Sequence, residues 1–290
     1  MSKIGIIGGS GLYQMEGLTH IQEQKLDTPY GAPSDAFITG ILEGHEVVFL
    51  PRHGKGHRIL PTEINNRANI WGIKELGVTR IISVSAVGSL RPEFKPQDVV
   101  IIDQFFDRTN QARKNTFFGE GIVAHIQFAK PICPCLAKTL VQAGTGSGAN
   151  IHSGGIYVNM EGPAFSTLAE SQTYRQWGMD VVGMTQMNEA RLAREAEICY
   201  ATVAMITDYD CWYEEETGST VSVDMIIENL QKNTATARSI IKNTVRLLPE
   251  KQECACVNAL ANSFITDKSL WPKETVKKLG PIINKYYQHV

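Results

Sequence analysis

Asp180–Trp212, DVVGMTQMNEARLAREAEICYATVAMITDYDCW, reads as a strand, a tight turn, a short helix, a second strand and then a pair of carboxylates. Val181 and Val182 are β-branched and suit a strand. Gly183, Met184 and Thr185 follow, so a hydroxyl stands just past the strand's carboxyl end. Asn188 is the expected cap of the next helix, with Glu189 in a first turn whose dipole favours negative charge. Leu192, Ala193 and Ala196 recur at helical spacing and give that helix an inner face. Ile198–Ile206 is an apolar run of buried-strand length ending in Thr207-Asp208-Tyr209-Asp210. In an open α/β sheet, ligands bind outside the carboxyl ends of the strands, and both polar clusters fall there.

Outward from this unit, 290 residues are enough to bury a sizeable core as one large α/β domain or two small ones. The formal net charge is −2 and there is no basic block, so neither nucleic acid nor an anionic membrane surface is an expected partner. No apolar run reaches the length of a membrane span, and MSKIGIIGGSG suits a first strand better than a signal peptide. The expectation is a soluble cytoplasmic protein. Six cysteines are thinly spread. Cys199, within an apolar strand, reads as a small core residue. Cys133-Pro-Cys135 and Cys254-Ala-Cys256 are C-x-C pairs that together would make a four-thiolate site or disulfides. Reduced thiols are the simpler expectation, and no metal is assigned.

Strands are expected at Lys3–Ile7, Arg80–Val84, Asp98–Ile102 and Ser153–Met160, with a hairpin of Ala36–Gly40 and His45–Leu50 around Glu43-Gly44. Helices are expected over Thr62–Leu76, Cys135–Ala143, Thr167–Trp177 and Ser222–Leu248. Arg113–Glu120 and the acidic Glu214–Gly218 read as loops. Alternating strands and helices, without repeats or low-complexity linkers, point to one α/β domain. The chain divides into a domain over residues 1–250 and an extension over 251–290, packed on the domain or on a subunit neighbour.

The strand ends carry the chemistry. Gly8-Gly9-Ser10-Gly11 offers amides and a hydroxyl to an anion, but fits neither the dinucleotide nor the triphosphatase glycine motif. Leu50–Arg58, LPRHGKGHR, is a glycine-spaced loop of basic and imidazole groups, better suited to an anion than to a zinc helix. Ser85 and Ala86 open a third such turn, and Glu161–Ser166 a fourth polar loop. Converged, Ser10, Arg52, His53, Ser85 and Thr185 would surround a phosphate dianion with neutral donors and one guanidinium. Asp208 and Asp210 share one side of an extended chain. Met184 and Phe165 would add apolar contacts. His125, alone in the apolar run Ile122–Phe128, is either a satisfied structural histidine or a site residue.

GGSGLY, TPYG-PS, PRHG-GH, N-RANIW-IKELGV, SVSAVGSL, the VAH run, MEGP-FST-AES, GMT and MITDYDCW together resemble the 5′-methylthioadenosine phosphorylases, within the wider purine nucleoside phosphorylase family of trimeric enzymes. The resemblance runs from about Ile4 to Pro249. It implies a central mixed twisted sheet flanked by helices, and a homo-oligomer: a trimer, or a hexamer made as a dimer of trimers. It implies phosphorolysis in purine and methionine salvage, with nucleoside and inorganic phosphate as the small-molecule partners and no cofactor. Ser10, Arg52, His53, Ser85, the Ala86 amide and Thr185 would hold phosphate. Met184 would pack on the ribose and Phe165 on the base. Asp208 would face N7 and the exocyclic amine, with Asp210 beside it, and His125 would reach into a neighbouring subunit's site.

The resemblance also bears on specificity. Members of the family that use 6-oxopurines carry Glu where Ser166 stands and Asn where Asp208 stands. A carboxyl accepts from a 6-amino group and, when protonated, donates to N7, so Ser166 and Asp208 favour adenine. Val223 and Ile226, one turn apart, would line an apolar pocket for a methylthio group or serve as plain helix core. Asn188 stands where the family usually has Pro, and the tail after Pro249 is longer than usual. The rival readings are a 6-oxopurine phosphorylase and a non-catalytic purine nucleoside-binding protein.

Overall fold

Ile4, Ile6 and Ile7 are all buried, so the first strand has no solvated face and must lie inside a sheet. The structure is a computed structural model that describes residues 3–9, 11–110, 113–218 and 223–287, without the side chains of 223–227. Strands β1 (Lys3–Gly8), β2 (Thr19–Gln24), β3 (Phe37–Leu42) and β4 (His45–Pro51) precede helix α1 (Asn66–Glu75) and strand β5 (Val78–Ser89). β6 (Val99–Ile101) and β7 (Gln104–Arg108) lead to α2 (Pro134–Gly144), β8 (Ile151–Ser153), β9 (Ile156–Met160) and α3 (Leu168–Gln176). Then come β10 (Val181–Gly183), α4 (Gln186–Glu195), β11 (Cys199–Tyr209), α5 (Trp212–Thr217) and α6 (Val223–Leu247), with α7 (Lys273–Leu279) in the C-terminal segment.

The strands form one mixed sheet in the order β2-β3-β4-β1-β5-β10-β9-β7, with β11 pairing β5 and β6, and β6 pairing β8. Helices flank it: α1 packs with α4, α2 with α6, and all but α1 of these reach β11. The twelve-residue β5 organises the centre. Along one edge it runs parallel to β11, from Arg80 opposite Cys199 to Ser89 opposite Tyr209. Along the other it pairs β1 in parallel only as far as Ser83, then β10 antiparallel at Gly88 and Ser89. Among the described residues, no strand pairs with 84–87 on that side. The sheet is interrupted there.

Several elements depart from the sequence reading for identifiable reasons. α1 starts at Asn66, capped by the Asn65 side chain on the Ala68 amide, rather than at Thr62. α4 starts after Thr185, and Asn188 lies inside its first turn instead of capping it. Ser153–Met160 is two strands, because Gly154 and Gly155 both take positive φ. Glu214–Gly218, expected as an acidic loop, falls in α5 (Trp212–Thr217) and the Gly218 that closes it in the left-handed conformation. β2 was not legible because five of its six residues are exposed and carry no apolar alternation. On α6, Leu230 is exposed, and the buried face runs through Asn233, Ala237, Ile240, Ile241 and Val245. Among the described residues no helix is long and apolar enough to cross a membrane.

The tail is part of the core. Leu260, Trp271, Val276, Leu279, Ile282 and Ile283 are buried in the same cluster as Ile4 and Ile73. The Trp71 indole N–H of α1 donates to the Leu279 carbonyl at 3.2 Å. Leu279→Ala is expected to lower stability by about 2–5 kcal/mol, as for other fully buried leucines. A denaturant melt of the full chain that moved by less than the scatter of wild-type repeats would contradict this placement.

Candidate active site

The interruption in the sheet is where the polar strand ends meet. Val84 turns its carbonyl towards it, accepting from Arg52 Nη1 at 3.0 Å. By the two-residue repeat of a strand, the Ala86 amide faces the same side. Ala86 is also the one exposed residue of β5. β10 runs antiparallel into this opening, so the chain beyond Gly183 carries Thr185 back towards Ser85. The Ser85 hydroxyl lies 3.2 Å from the Tyr157 hydroxyl. Burial raises the Tyr157 phenol pKa, partly opposed by the Ser85 hydroxyl, the Arg52 charge and the Thr185 amide. Gly183 is required here: a Cβ on it would stand 2.0 Å from the Tyr157 hydroxyl oxygen.

Arg52 sits at the end of β4 and is only 3 % exposed. Its amide donates to the Gly8 carbonyl at 2.9 Å, tying β4 to the end of β1. Its guanidinium is paired with Glu189 through Nε to Oε1 and through Nη2 to Oε2 at 3.2 Å. Nη2 also donates to the Ser83 hydroxyl at 2.6 Å, and that hydroxyl donates to Glu189 Oε2 at 2.7 Å. These bonds use four of the five guanidinium hydrogens and leave one on Nη1. Among the described residues, Arg52 thus has one hydrogen bond and a fixed charge left to offer a phosphate, rather than a two-pronged fork. Glu189, assigned there only a role in the helix dipole, is the buried partner.

The network extends to Thr185. The Tyr200 hydroxyl lies 3.0 Å from Glu189 Oε2 and 2.6 Å from Gln186 Oε1. Gln186 Nε2 then donates to the Thr185 hydroxyl at 3.1 Å. Arg52 and Thr185 are therefore held by one continuous chain of polar contacts. Arg113 locks the rim from outside: it donates to the Met184 carbonyl at 2.7 Å and to the Glu161 carboxylate at 3.0 Å. Glu189, Tyr157, Tyr200, Gln186 and Arg113 escaped the sequence reading. The available signal was Ser83, Tyr200 and Thr202 as polar interruptions of apolar strands.

His53 has a fixed tautomer. Its Nδ1 lies 2.8 Å from the Ile59 carbonyl, which can only accept, so Nδ1 carries the proton. Burial and the Arg52 charge lower its pKa to about 4, leaving Nε2 as an acceptor at neutral pH. Towards hydrogen phosphate it can accept from the P–OH group rather than donate.

The carboxylates stand at the far end of β5 and β11. The ladder slips between Ile206 and Asp208, so Thr207 is an extra residue and Asp208 faces Gly88. From α6, Asn229 and Asn233 donate to the Thr207 and Ile206 carbonyls, each at 2.8 Å, and clamp this bulge. Asp208 is half-buried and accepts from the Thr207 hydroxyl at 2.6 Å. Burial pushes its pKa up to about 6, with Thr207 opposing and Asp210 adding to the rise. Asp210 lies beyond the strand, its amide bonded to the Ser89 carbonyl at 2.9 Å. Burial raises its pKa as well, against the nearby Ser171 and Ser166 hydroxyls. Its Oδ2 is buried without a hydrogen-bond partner among the described residues.

Ser166 accordingly lies beside Asp210, while Phe165 next to it is 74 % exposed. Met184 packs at the edge of the cluster formed by Val158, Val182 and Trp212. Ser10 and the side chains of Val223 and Ile226 lie outside the described residues. His125 is not with the others. It lines a separate groove of about 460 Å³ with Phe118, Phe128 and Glu195.

The phosphorylase superfamily profile matches residues 3–246. An S-methyl-5′-thioadenosine phosphorylase from Geobacter sulfurreducens is 58 % identical over 98 % of both chains, so the long tail is shared with that relative. One from Koribacter versatilis is 54 % identical over 99 % of this chain and 97 % of its own. A crystal structure of a methylthioadenosine phosphorylase from an antarctic soil metagenomic library superposes with a TM-score of 0.92 at 48 % identity, covering 97 % of this chain and 98 % of the other. The Schistosoma mansoni enzyme in complex with adenine gives 0.81 at 37 % identity, covering 87 % and 93 %. The chain belongs to the phosphorylase superfamily and, within it, to the S-methyl-5′-thioadenosine phosphorylase family.

Removing one partner of a buried ion pair leaves an uncompensated charge. Glu189→Ala is expected to destabilise the protein by about 3–5 kcal/mol and to raise the KM for phosphate. Denaturant unfolding and phosphate-saturation kinetics read the two effects separately, and wild-type values for both would remove the role given to this pair.

Proposed function

We propose that the chain cleaves the N-glycosidic bond of 5′-methylthioadenosine with inorganic phosphate, giving adenine and 5-methylthioribose 1-phosphate for purine and methionine salvage. The observation that carries this reading is the interruption in the sheet, where fixed donors stand near a carboxyl tuned towards neutral pH. Phosphate lies in the opening against the Ala86 amide, the hydroxyls of Ser85, Thr185 and Ser10, and the remaining Arg52 Nη1 hydrogen. His53 Nε2 accepts its P–OH. An oxygen of the bound phosphate attacks the anomeric carbon as the bond to the base breaks. The dianion stabilises positive charge on the sugar, and the Asp208 carboxyl transfers its proton to N7 of the departing base.

The same residues set the choice of base. The second oxygen of the Asp208 carboxyl accepts from the exocyclic amine of adenine, with Asp210 beside it. Ser166 leaves room where a glutamate would select a 6-oxopurine. Phe165 covers the base from its exposed loop, Met184 supports the ribose, and Val223 and Ile226 receive the methylthio end. The chain works as a cytoplasmic homotrimer in which His125 serves a neighbouring subunit's site. Its position in a separate groove fits a role across a subunit boundary.

Initial rates with methylthioadenosine, adenosine and inosine, each with and without phosphate, test this directly. Methylthioadenosine is expected to turn over only with phosphate. Adenosine should lose about 1–3 kcal/mol of transition-state binding in the apolar pocket, and inosine should be poor. Equal turnover without phosphate would mean a nucleosidase, and fast inosine cleavage a 6-oxopurine enzyme. Binding without any turnover would mean a nucleoside carrier.

The pH profile tests the acid. A carboxyl with a pKa of about 6 holds its proton below that pH and loses it above, so kcat/KM should fall as pH rises through about 6. Asp208→Asn should abolish this limb and reduce turnover by about 10²–10⁴-fold while leaving phosphate affinity nearly intact. A variant with the wild-type rate and profile would remove Asp208 from the chemistry.

A further inference from the structure

At the end of β11 remote from Asp208, the Sγ atoms of Cys133, Cys199, Cys254 and Cys256 all lie within 4.8 Å of one another, and all four residues are buried. They come from three separate parts of the chain. Cys133 caps the start of α2, Cys199 opens β11, and Cys254 and Cys256 lie in the C-terminal segment. This is not the quartet expected from the two C-x-C pairs. Cys135 is exposed, and Cys199, read as a small core residue, takes its place.

Four neutral thiols have little reason to gather. The S–H group is a weak donor and sulfur a weak acceptor, so packing alone would be served as well by alanine or valine. None of the four is in a disulfide, yet the Cys199 and Cys254 sulfurs are 2.8 Å apart. A tetrahedral ion with metal–sulfur bonds of about 2.3 Å holds its sulfurs about 3.8 Å from one another, within reach of this cluster after small shifts. The donor set is wholly sulfur, with no carboxylate or imidazole among the grouped atoms. That composition selects a thiophilic ion and leaves no ligand position for water.

The surroundings fit a cluster of thiolates. Gln252 Nε2 is 2.7 Å from Cys199 Sγ and 2.9 Å from the Thr79 carbonyl, so an amide donor is aimed at the sulfur. Arg80 stands beside Cys199 in the parallel ladder and is itself buried, with Nη2 donating to the Pro249 carbonyl at 2.7 Å. Four thiolates around a divalent cation carry a net charge of −2, of which one guanidinium on the adjacent strand offsets at most half. The Cys133 amide donates to the Tyr200 carbonyl at 2.8 Å and fixes the start of α2 against β11.

We propose that Cys133, Cys199, Cys254 and Cys256 bind one zinc ion as a structural tetrathiolate that fastens the C-terminal segment to the central sheet. Binding releases the thiol protons to solvent and changes no oxidation state. Nine residues of extended strand, about 30 Å, separate this ion from Asp208, so it takes no part in the reaction.

The test uses the full chain, expressed with added zinc and purified under reducing conditions without chelator. Elemental analysis should find one zinc per chain. Thiol titration of the native protein should reach only Cys135 and Cys211, and a mercurial should release the zinc in step with the other four thiols. Replacement by cobalt should give the intense visible absorption of tetrahedral thiolate coordination. Cys135→Ser should keep the full equivalent of zinc and Cys256→Ser should lose it. Where Cys256→Ser fails to fold, the wild-type metal count and the cobalt spectrum still decide. Protein that carries no zinc after this preparation overturns the proposal, whether its thiols are then free or joined as disulfides.

Discussion

The ion pair between Arg52 and Glu189 is the contact on which the rest of the site depends. Both side chains are almost wholly removed from solvent, where an isolated charge is strongly disfavoured. The arrangement holds because nearly every donor and acceptor around the two charges is used, by the Val84 carbonyl, the Ser83 hydroxyl and the Tyr200 phenol. It joins the end of β4 to β5 and α4, and so fixes the borders of the opening that faces Ala86. A flexible arginine at the surface could bind phosphate as well, but only by ordering itself each time. Here the order is supplied by folding.

The two halves of the site are controlled differently. On the anion side, backbone amides and hydroxyls are positioned by strand register, and the cation is neutralised by its own partner. At the carboxylate end, desolvation raises both carboxyls, and the slip at Thr207 sets the register of the first of them. The bulge is held from α6 by Asn229 and Asn233, the same helix that begins with Val223 and Ile226. The clamp on the bulge and the first turn of α6 therefore belong to one helix.

Much of this was legible in the chain. Val181 to Asp210 announced its strand–helix–strand order because apolar periodicity changes there from two to near four, and the strand-end hydroxyls of Ser85 and Thr185 marked the edge of the opening in the sheet. What stayed hidden follows from physics that is not local. That β5 loses β1 after Ser83 and gains β10 at Gly88 is a matter of register between distant segments. That Glu189 is buried against Arg52 depends on helix α4 packing against the ends and interiors of three strands, β4, β5 and β11. Asn188 resembled a cap in composition, yet the turn closes three residues earlier, at Thr185. Cys135 and Cys199 exchanged expected roles because Cys135 is the second residue of α2 and turns outward, while a strand's first residue faces the tail.

The tail has a bearing on how the protein is made. Ile4 and Ile73, early in the chain, share their core with Leu279, Ile282 and Ile283, almost its last residues. During synthesis the first strand meets β4 and β5 early, but the core around Ile4 and Ile73 stays incomplete until the segment carrying Leu279 and Ile283 has been made. The segment from Leu260 to Ile283, more than any early strand pairing, closes the seam over them.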